Sequence, residues 1–205
     1  MADHRITRRA LAAGAAVAVT TSCGPDIPNA PQSRQFPKDF KWGVATAAPQ
    51  IEGSPDVDGR APRIWDEFAK KPGNIVDRSD ASYGTDSYRR YKDDVALIAE
   101  ANLKAYQFSI AWPLVMPKGA GAVNEKGIDY YKRLLDALHE AHIEPFATLF
   151  HWDLPQALQG KGGWGNRKTA YRLADYAAIV AGKLGARISH LIILNGPPST
   201  QSKAG

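Results

Sequence analysis

Five polar side chains stand at or directly after the ends of apolar segments, where they could bind a ligand or transfer a proton. They are Gln50, Glu52, His151, Asp153 and Asn195. Amide and imidazole groups both donate and accept hydrogen bonds, whereas two carboxyl groups could act as a general acid and a general base. Carboxylates near strand ends also accept hydrogen bonds within loop turns, and we favour this structural interpretation for Glu52 and Asp153.

The elements that must position these side chains alternate between short apolar segments and amphipathic segments. The apolar segments predict strands at residues 40–47, 104–112, 144–152 and 190–195. Apolar residues spaced three to four apart predict helices at residues 86–101, 124–142 and 167–184. Residues 48–82, which are rich in Pro, Gly and Asp, are expected to form a long loop. Nearly continuous apolar strands between helices favour a parallel sheet covered by helices.

Two α/β architectures fit this order of elements. A doubly wound sheet usually has a glycine-rich phosphate loop after its first strand, and the residues that follow Ala47 contain none. A (β/α)₈ barrel instead has its functional residues at the C-terminal ends of its strands, where the five polar side chains fall. We therefore predict a partial (β/α)₈ TIM barrel with about four of the eight βα units.

Residues 1–23 have the features of an export signal. Arg8 and Arg9 precede residues 12–19, a mildly apolar stretch that is too short to span a bilayer. This arrangement resembles a twin-arginine signal, which directs proteins across the bacterial membrane. We expect export to the bacterial periplasm or cell envelope; a disordered basic tail with a chance arginine pair is the alternative.

Cys23 is the only cysteine, so the chain can form no internal disulfide. It follows Ser22 just after the apolar stretch, a position that resembles a lipoprotein processing site. Ordinary signal cleavage is the alternative, because Thr20 stands where such sites usually have leucine. We expect membrane attachment only through a lipid on Cys23, with residues 24–35 as a flexible tether.

The composition excludes several other classes of protein. The chain is 44% hydrophobic and 23% charged, which is typical of a globular domain and not of a disordered chain. Its net charge of +5 is not gathered into a stripe of Lys and Arg, so we expect no nucleic acid partner. His139 and His142 lie three residues apart, but no third ligand has the spacing of a metal site. With no phosphate loop or cofactor fingerprint either, we predict no metal and no cofactor.

A series of short motifs runs in order along residues 36–197. They are Phe40-x-Trp42-Gly43-x-Ala45, Gln50-Ile51-Glu52-Gly53, Asp58-Gly59-Arg60, Ile64-Trp65-Asp66, Phe108-Ser109-Ile110-Ala111-Trp112-Pro113 and His151-Trp152-Asp153-Leu154-Pro155. Together they resemble the N-terminal half of the family 1 glycoside hydrolases, the β-glucosidase family. Residues 198–205 have no such resemblance, and we predict that they form an unstructured tail.

The resemblance implies retaining hydrolysis of terminal β-D-glucosides by two glutamates about 5 Å apart. The family's acid/base glutamate stands where this sequence has Gly196, and glycine has no side-chain proton to donate. The nucleophile is expected on the seventh strand, beyond the last residue of this sequence. Gln107 also replaces an arginine that supports the nucleophile. We therefore expect no catalytic residue here and no activity of this chain alone.

The resemblance also implies a sugar-binding site. Gln50 and His151 would hydrogen-bond hydroxyls of the non-reducing sugar beside Trp152, and Asn195 would hold the 2-hydroxyl. The expected ligand is a β-glucoside or an oligosaccharide. Two hypotheses remain: the N-terminal half of an exported β-glucosidase, or a non-catalytic sugar-binding or interaction protein derived from the same family.

Four strands of an eight-stranded barrel would leave two open sheet edges. Unpaired backbone groups at such edges can pair with another chain, so we expect self-association through them. The inner face of the sheet would also lack its opposite wall. The side chains that we expect on this face are Ala45, Phe108, Ile110, Thr148 and Ile193.

Overall fold

Four parallel strands form one sheet in the structure, a computed structural model that describes residues 35–196. They lie side by side in chain order: β1 Gly43–Ala45, β2 Ala105–Ser109, β3 Glu144–Phe150 and β4 His190–Leu194. Each neighbouring pair is parallel, which requires a crossover connection between consecutive strands. The sheet confirms the predicted α/β fold with four parallel strands.

Seven α-helices occur in the described residues. They are α1 Ala48–Ile51, α2 Ile64–Lys70, α3 Ser87–Glu100, α4 Trp112–Val115, α5 Glu125–Glu140, α6 Gln156–Gln159 and α7 Arg167–Leu184. The long helices α3, α5 and α7 confirm the three predicted helices, whereas α1 and α2 lie within residues 48–82, the predicted loop. Both helices are too short for a clear helical period. Pro49 lies in the first turn of α1, where proline is tolerated. None of the described helices has the length and apolarity needed to cross a membrane.

Several predictions lie outside the described residues. These are the export signal with Arg8 and Arg9, the lipidation candidate Cys23, the tether before residue 35 and the tail after residue 197. Within the described part, residues 35–40 belong to one compact unit and residues 41–196 to another. The domain boundaries inferred from the sequence stay predictions.

Helix α5 covers β2 and β3 with its apolar stripe, in which Ile128, Leu135 and Leu138 are fully buried. Asn124 is the residue before the helix, but its side chain accepts no hydrogen bond from the helix. Its Nδ2 instead donates to the carbonyl oxygens of Asp58 and Leu114, at 2.7 Å and 2.9 Å. Asn124 therefore ties the segment before α2 and the helix α4 to the start of α5.

The prediction that Phe108 and Ile193 lie on the inner face of the sheet is wrong. The ring of Phe108 stacks on Tyr131 of α5 with centroids 6.4 Å apart, so this side chain points to the helices. The β3–β4 register gives Ile193 the same side, because side chains on adjacent residues alternate between the two faces. Gln107 lies on the other face, where its Nε2 donates to Thr148 Oγ1 at 3.1 Å.

The two outer strands are open in the part of the chain that the structure describes. There β1 pairs only with β2, and β4 only with β3. Apolar side chains on these strands are exposed: 38% of Val44, 41% of Leu191 and 62% of Ile193. Unpaired backbone groups and apolar side chains thus meet at the same edges.

We expect the 205-residue polypeptide, produced alone, to form dimers or larger species at micromolar concentration in light scattering. Ile193→Lys should shift it toward monomer, because a charge on an edge strand opposes strand pairing. Leu97→Lys is the matched control, since Leu97 is also exposed but lies on α3. A wild-type monomer that unfolds cooperatively and binds no apolar dye would contradict this expectation.

Candidate functional site

The carboxyl ends of β3 and β4 bring His151 and Asn195 into contact. The backbone N–H of Asn195 donates to the carbonyl oxygen of Phe150 at 3.0 Å, which continues the pairing just past β4. The side-chain Nδ2 of Asn195 then lies 2.9 Å from Nε2 of His151. Because an amide nitrogen only donates, Nε2 accepts this hydrogen bond, and the imidazole proton is on Nδ1.

His151 is an uncharged hydrogen-bonding group in this arrangement. Burial lowers the pKa of its imidazole below the ordinary value, so the ring is neutral at neutral pH. Its Nδ1 is buried and has no hydrogen-bond partner within residues 35–196. In this pair, Asn195 retains its Oδ1 as an acceptor and its second N–H as a donor for a ligand, and the neutral His151 adds no charge.

Trp152 follows in an unusual backbone conformation. Its φ is 69°, in the left-handed region that residues with a side chain rarely adopt. The turn is stabilised by Asp153, whose Oδ1 accepts a hydrogen bond from the backbone N–H of His151 at 3.4 Å. The rings of His151 and Trp152 meet edge to face, with centroids 5.3 Å apart. This turn places both rings at the end of β3.

The segment between β1 and α2 is hydrogen-bonded to the residues that follow this turn. The N–H of Ile64 donates to the carbonyl oxygen of Leu154 at 3.0 Å, and the N–H of Gln156 donates to that of Pro62 at 2.9 Å. These two backbone bonds join loops that follow different strands. They fix the position of the turn at residues 151–153 relative to the segment between β1 and α2.

Gln50 reaches the site from α1. Ser109 at the end of β2 accepts a hydrogen bond from the N–H of Ala48 at 2.7 Å, which holds the start of this helix against the sheet. The exposed side chain of Gln50 and the indole of Trp152 line one cleft of about 440 Å³, together with Trp65 and Asp80. The structure thus places Gln50 and Trp152 on one cleft. His151 and Asn195 do not line this cleft, and the ring of His151 contacts that of Trp152.

A buried cluster of charged groups lies among these loops. Arg63 is 1% exposed and donates through Nε to Asp66 at 3.1 Å, while Arg60 donates to the same carboxylate at 2.8 Å. Partial burial acts to raise the pKa of Asp66, but the charge of Arg63 and the hydrogen bond from Arg60 hold it below its ordinary value. Asp66 is therefore ionised at neutral pH.

The two other carboxyl groups near Arg63 resist ionisation. Burial raises the pKa of Glu52, although Tyr131 donates to its Oε1 at 2.6 Å and Arg63 favours its charge. Burial also raises the pKa of Asp153 to about 7, with Arg63 opposing the shift and Glu52 adding to it. Both carboxyls are under 5% exposed and out of reach of the cleft, which supports their structural interpretation.

The remaining predicted features add no reactive group to the site. Gly196, at the end of the described chain, is exposed and has a φ of 57°, a conformation that favours glycine. Between residues 35 and 196, no three His, Cys, Asp or Glu side chains are arranged to hold a metal ion. The arrangement can bind a neutral polar ligand. Asp80 places a carboxylate on the cleft, whereas Gly196, the residue after Asn195, has no acidic or basic side chain.

The sequence pattern does not single out Arg63, Trp65 or Asp80 as functional residues. All three lie in or beside the first long loop, which has no periodic pattern from which side-chain positions could be inferred. The motif Ile64-Trp65-Asp66 was the available signal, because it contains the indole that lines the cleft and the carboxylate that binds both arginines.

Comparisons with known proteins agree on one family. The sequence profile of glycosyl hydrolase family 1 matches residues 32–204. A 1,4-beta-D-glucan glucohydrolase of Thermotoga neapolitana is 47% identical over 164 residues, which is 80% of this chain and 39% of that protein. The chain thus spans about two fifths of the length of this relative.

Solved structures show the same similarity in three dimensions. A β-glucosidase from Thermotoga maritima in complex with deoxynojirimycin has a TM-score of 0.78 at 48% identity, covering 79% of this chain and 37% of that one. The virulence factor SghA from Agrobacterium tumefaciens, solved with the substrate analogue salicin, has the same TM-score and identity. The match covers 79% of this chain and 36% of that one. Four parallel strands with their helices therefore match part of the barrel of these enzymes.

The titration of Asp153 should make the free energy of unfolding decrease from pH 4 to pH 7. We expect Asp153→Asn to remove this contribution. The unfolded chain releases the Asp153 proton near pH 3.8 and the folded chain near pH 7, so the folded state binds more protons between them and loses stability as pH rises. At about 1.4 kcal/mol per pKa unit, the effect amounts to a few kcal/mol. Urea denaturation at several pH values measures it.

The matched control for this experiment is Asp129→Asn, which removes an exposed carboxylate of α5. Glu52 acts in the same direction as Asp153, so some slope should remain in the Asp153 variant. Identical slopes for wild type and Asp153→Asn would show that Asp153 titrates normally in the folded chain.

Proposed function

This chain belongs to glycosyl hydrolase family 1, and we propose that it forms the half of a retaining β-glucosidase barrel that binds the terminal sugar. The proposed ligand-binding residues are Gln50, His151, Trp152 and Asn195. The main support is the 2.9 Å contact between His151 and Asn195 at neighbouring strand ends, beside the cleft that Gln50 and Trp152 line.

The chemistry of these four side chains suits a sugar. Amides donate and accept hydrogen bonds, as neighbouring hydroxyls do, and a neutral imidazole does the same. An indole offers an apolar face with a polar edge. Related structures contain deoxynojirimycin and salicin, which supports a glycoside as the ligand here.

We also propose that this half-site binds without protonating a leaving group. Retaining hydrolysis requires one carboxyl group to protonate the glycosidic oxygen while a second attacks the anomeric carbon. Gly196 stands at the position that the resemblance assigns to the first of these groups, and it has no ionisable side chain. Gly196 beside a preserved sugar site also favours the second candidate function, a non-catalytic sugar-binding protein.

A chimeric barrel tests the proposed function. Residues 41–196 would replace the equivalent segment of the Thermotoga maritima β-glucosidase, which then supplies the remaining strands. We expect the chimera to hydrolyse cellobiose about 10² to 10⁴ times more slowly than the same chimera with Gly196→Glu, since one general acid contributes about that factor. The 205-residue polypeptide alone should not hydrolyse an aryl β-glucoside measurably.

Three further variants of the chimera serve as controls. The Gly196→Ala chimera should hydrolyse cellobiose as slowly as the chimera with Gly196, because alanine changes the backbone preference without adding a carboxyl group. In the Gly196→Glu background, His151→Ala should reduce kcat/KM roughly 10- to 100-fold through the lost hydrogen bond, and His139→Gln, on the outer helix α5, should have no effect. A chimera that carries both Gly196→Glu and Gln107→Arg, folds and has no activity would favour the non-catalytic function. Full activity of the His151→Ala variant would reject the proposed sugar site.

We propose further that the protein is exported through a twin-arginine signal. The support is the sequence alone, in which Arg8 and Arg9 precede an apolar stretch and Cys23 follows it. The export route would deliver the domain already folded to the bacterial periplasm or cell envelope. A lipid on Cys23 would then attach it to a membrane.

Fusion of residues 1–35 to a reporter that is active only when exported in the folded state should produce a periplasmic signal. Replacing Arg8 and Arg9 together by lysine should abolish this signal, because the route reads the arginine pair. Replacing Arg34 by lysine is the matched control and should leave export intact. Export that does not depend on Arg8 and Arg9 would reject the proposal, and Cys23→Ser should release the reporter from membranes if a lipid is attached.

A further inference from the structure

Asn195 differs from every other asparagine of the sequence in the residue that follows it, which is Gly196. Larger residues follow the other asparagines, Asn29, Asn74, Asn102, Asn124 and Asn166. The backbone nitrogen of a following residue can attack the side-chain carbonyl carbon of asparagine and close a cyclic imide. A side chain on that residue hinders the attack, so glycine permits the ring closure most readily.

The peptide bond between Asn195 and Gly196 lies where the chain leaves the sheet. Strand β4 ends at Leu194, and Gly196 is exposed with a φ of 57°. Glycine adopts a positive φ readily, whereas residues with a Cβ rarely do. Because β4 ends before this peptide bond, the bond can rotate and bring the nitrogen of Gly196 toward the side chain of Asn195.

His151 lies beside the group that would leave. Its Nε2 accepts a hydrogen bond from Nδ2 of Asn195 at 2.9 Å. Nδ2 must gain a proton before it can leave as ammonia, and an imidazole exchanges protons near neutral pH. Backbone carbonyl oxygens, which have no proton to exchange, instead accept the side-chain amides of Asn74, Asn124 and Asn166.

We propose that Asn195 is a site of spontaneous deamidation, with water as the co-reactant. The nitrogen of Gly196 loses its proton to water and bonds to Cγ of Asn195. The bond between Cγ and Nδ2 then breaks, and Nδ2 takes up a proton and leaves as ammonia. Water opens the ring at either of its carbonyl carbons and leaves aspartate or isoaspartate at position 195. The net reaction converts an amide and one water into a carboxylate and an ammonium ion.

The product changes the hydrogen bonding of the candidate site. A carboxylate accepts hydrogen bonds but donates none, so Nε2 of His151 loses its donor unless the imidazole binds a second proton. The adjacent negative charge favours this second proton and raises the pKa of His151. The amide proposed to hold a sugar hydroxyl disappears in the same reaction, so the affinity for sugar should decrease as the protein ages. This decrease rests on the proposed function, whereas the deamidation does not.

Peptide mapping by mass spectrometry, combined with enzymatic methylation of isoaspartate, tests the proposal on the 205-residue polypeptide stored at mildly alkaline pH. Position 195 should convert while Asn166, which is also half-buried, remains an amide. Gly196→Ala should slow the conversion roughly tenfold, because a Cβ hinders the approach of the attacking nitrogen. Gly182→Ala is the matched control and should leave the rate unchanged, since it lies in α7 with open space for a Cβ.

Conversion of Asn195 no faster than that of Asn166 would overturn the proposal, and so would equal rates in the wild type and in Gly196→Ala. NMR titration with methyl β-D-glucoside before and after storage separates this proposal from the proposed function. Deamidation with a severalfold loss of affinity would support both. Deamidation with unchanged affinity would support the modification site and reject Asn195 as a sugar ligand.

Discussion

The buried charge of Arg63 is the constraint on which the candidate site depends. A guanidinium with 1% exposure is stable only where carboxylates and carbonyl groups surround it. Asp66 supplies the direct partner, and the fields of Glu52 and Asp153 act on the same charge. These groups come from the loops after β1 and β3, so satisfying Arg63 brings both loops together at one edge of the sheet.

The charged groups of this cluster do not line the cleft that Gln50 and Trp152 share. With Asp66 ionised between Arg60 and Arg63, burial of both Glu52 and Asp153 as anions would give the cluster three negative and two positive charges. Burial raises both pKa values, and the charge of Glu52 raises that of Asp153 further, so one proton retained by the pair removes this excess. The proposed ligand-binding groups are an imidazole, two amides and an indole, and the carboxylate of Asp80 lies on the same cleft as Gln50 and Trp152.

Under the proposed function, sugar binding and bond cleavage depend on different residues of this chain. The proposed binding residues lie on turns that backbone hydrogen bonds hold in place, such as the bond from the N–H of Ile64 to the carbonyl oxygen of Leu154. The acid/base function would come from a single side chain at residue 196, just after β4, where the chain is exposed. On this proposal, a family member can lose the proton donor while it retains the fold of its sugar-binding loops.

The sequence by itself determined the order of the long elements and the residues at their ends. Short apolar segments predict the strands, and apolar residues spaced three to four apart predict α3, α5 and α7; together they place His151 and Asn195 at the ends of strands. Only the tertiary structure decided that Asn124 donates to the carbonyl groups of Asp58 and of Leu114 in α4, that Phe108 points to the helices and that Trp65 lines a cleft with Trp152. The reason is physical: periodicity reports which face of an element is apolar, whereas loop contacts depend on partners far away in the chain.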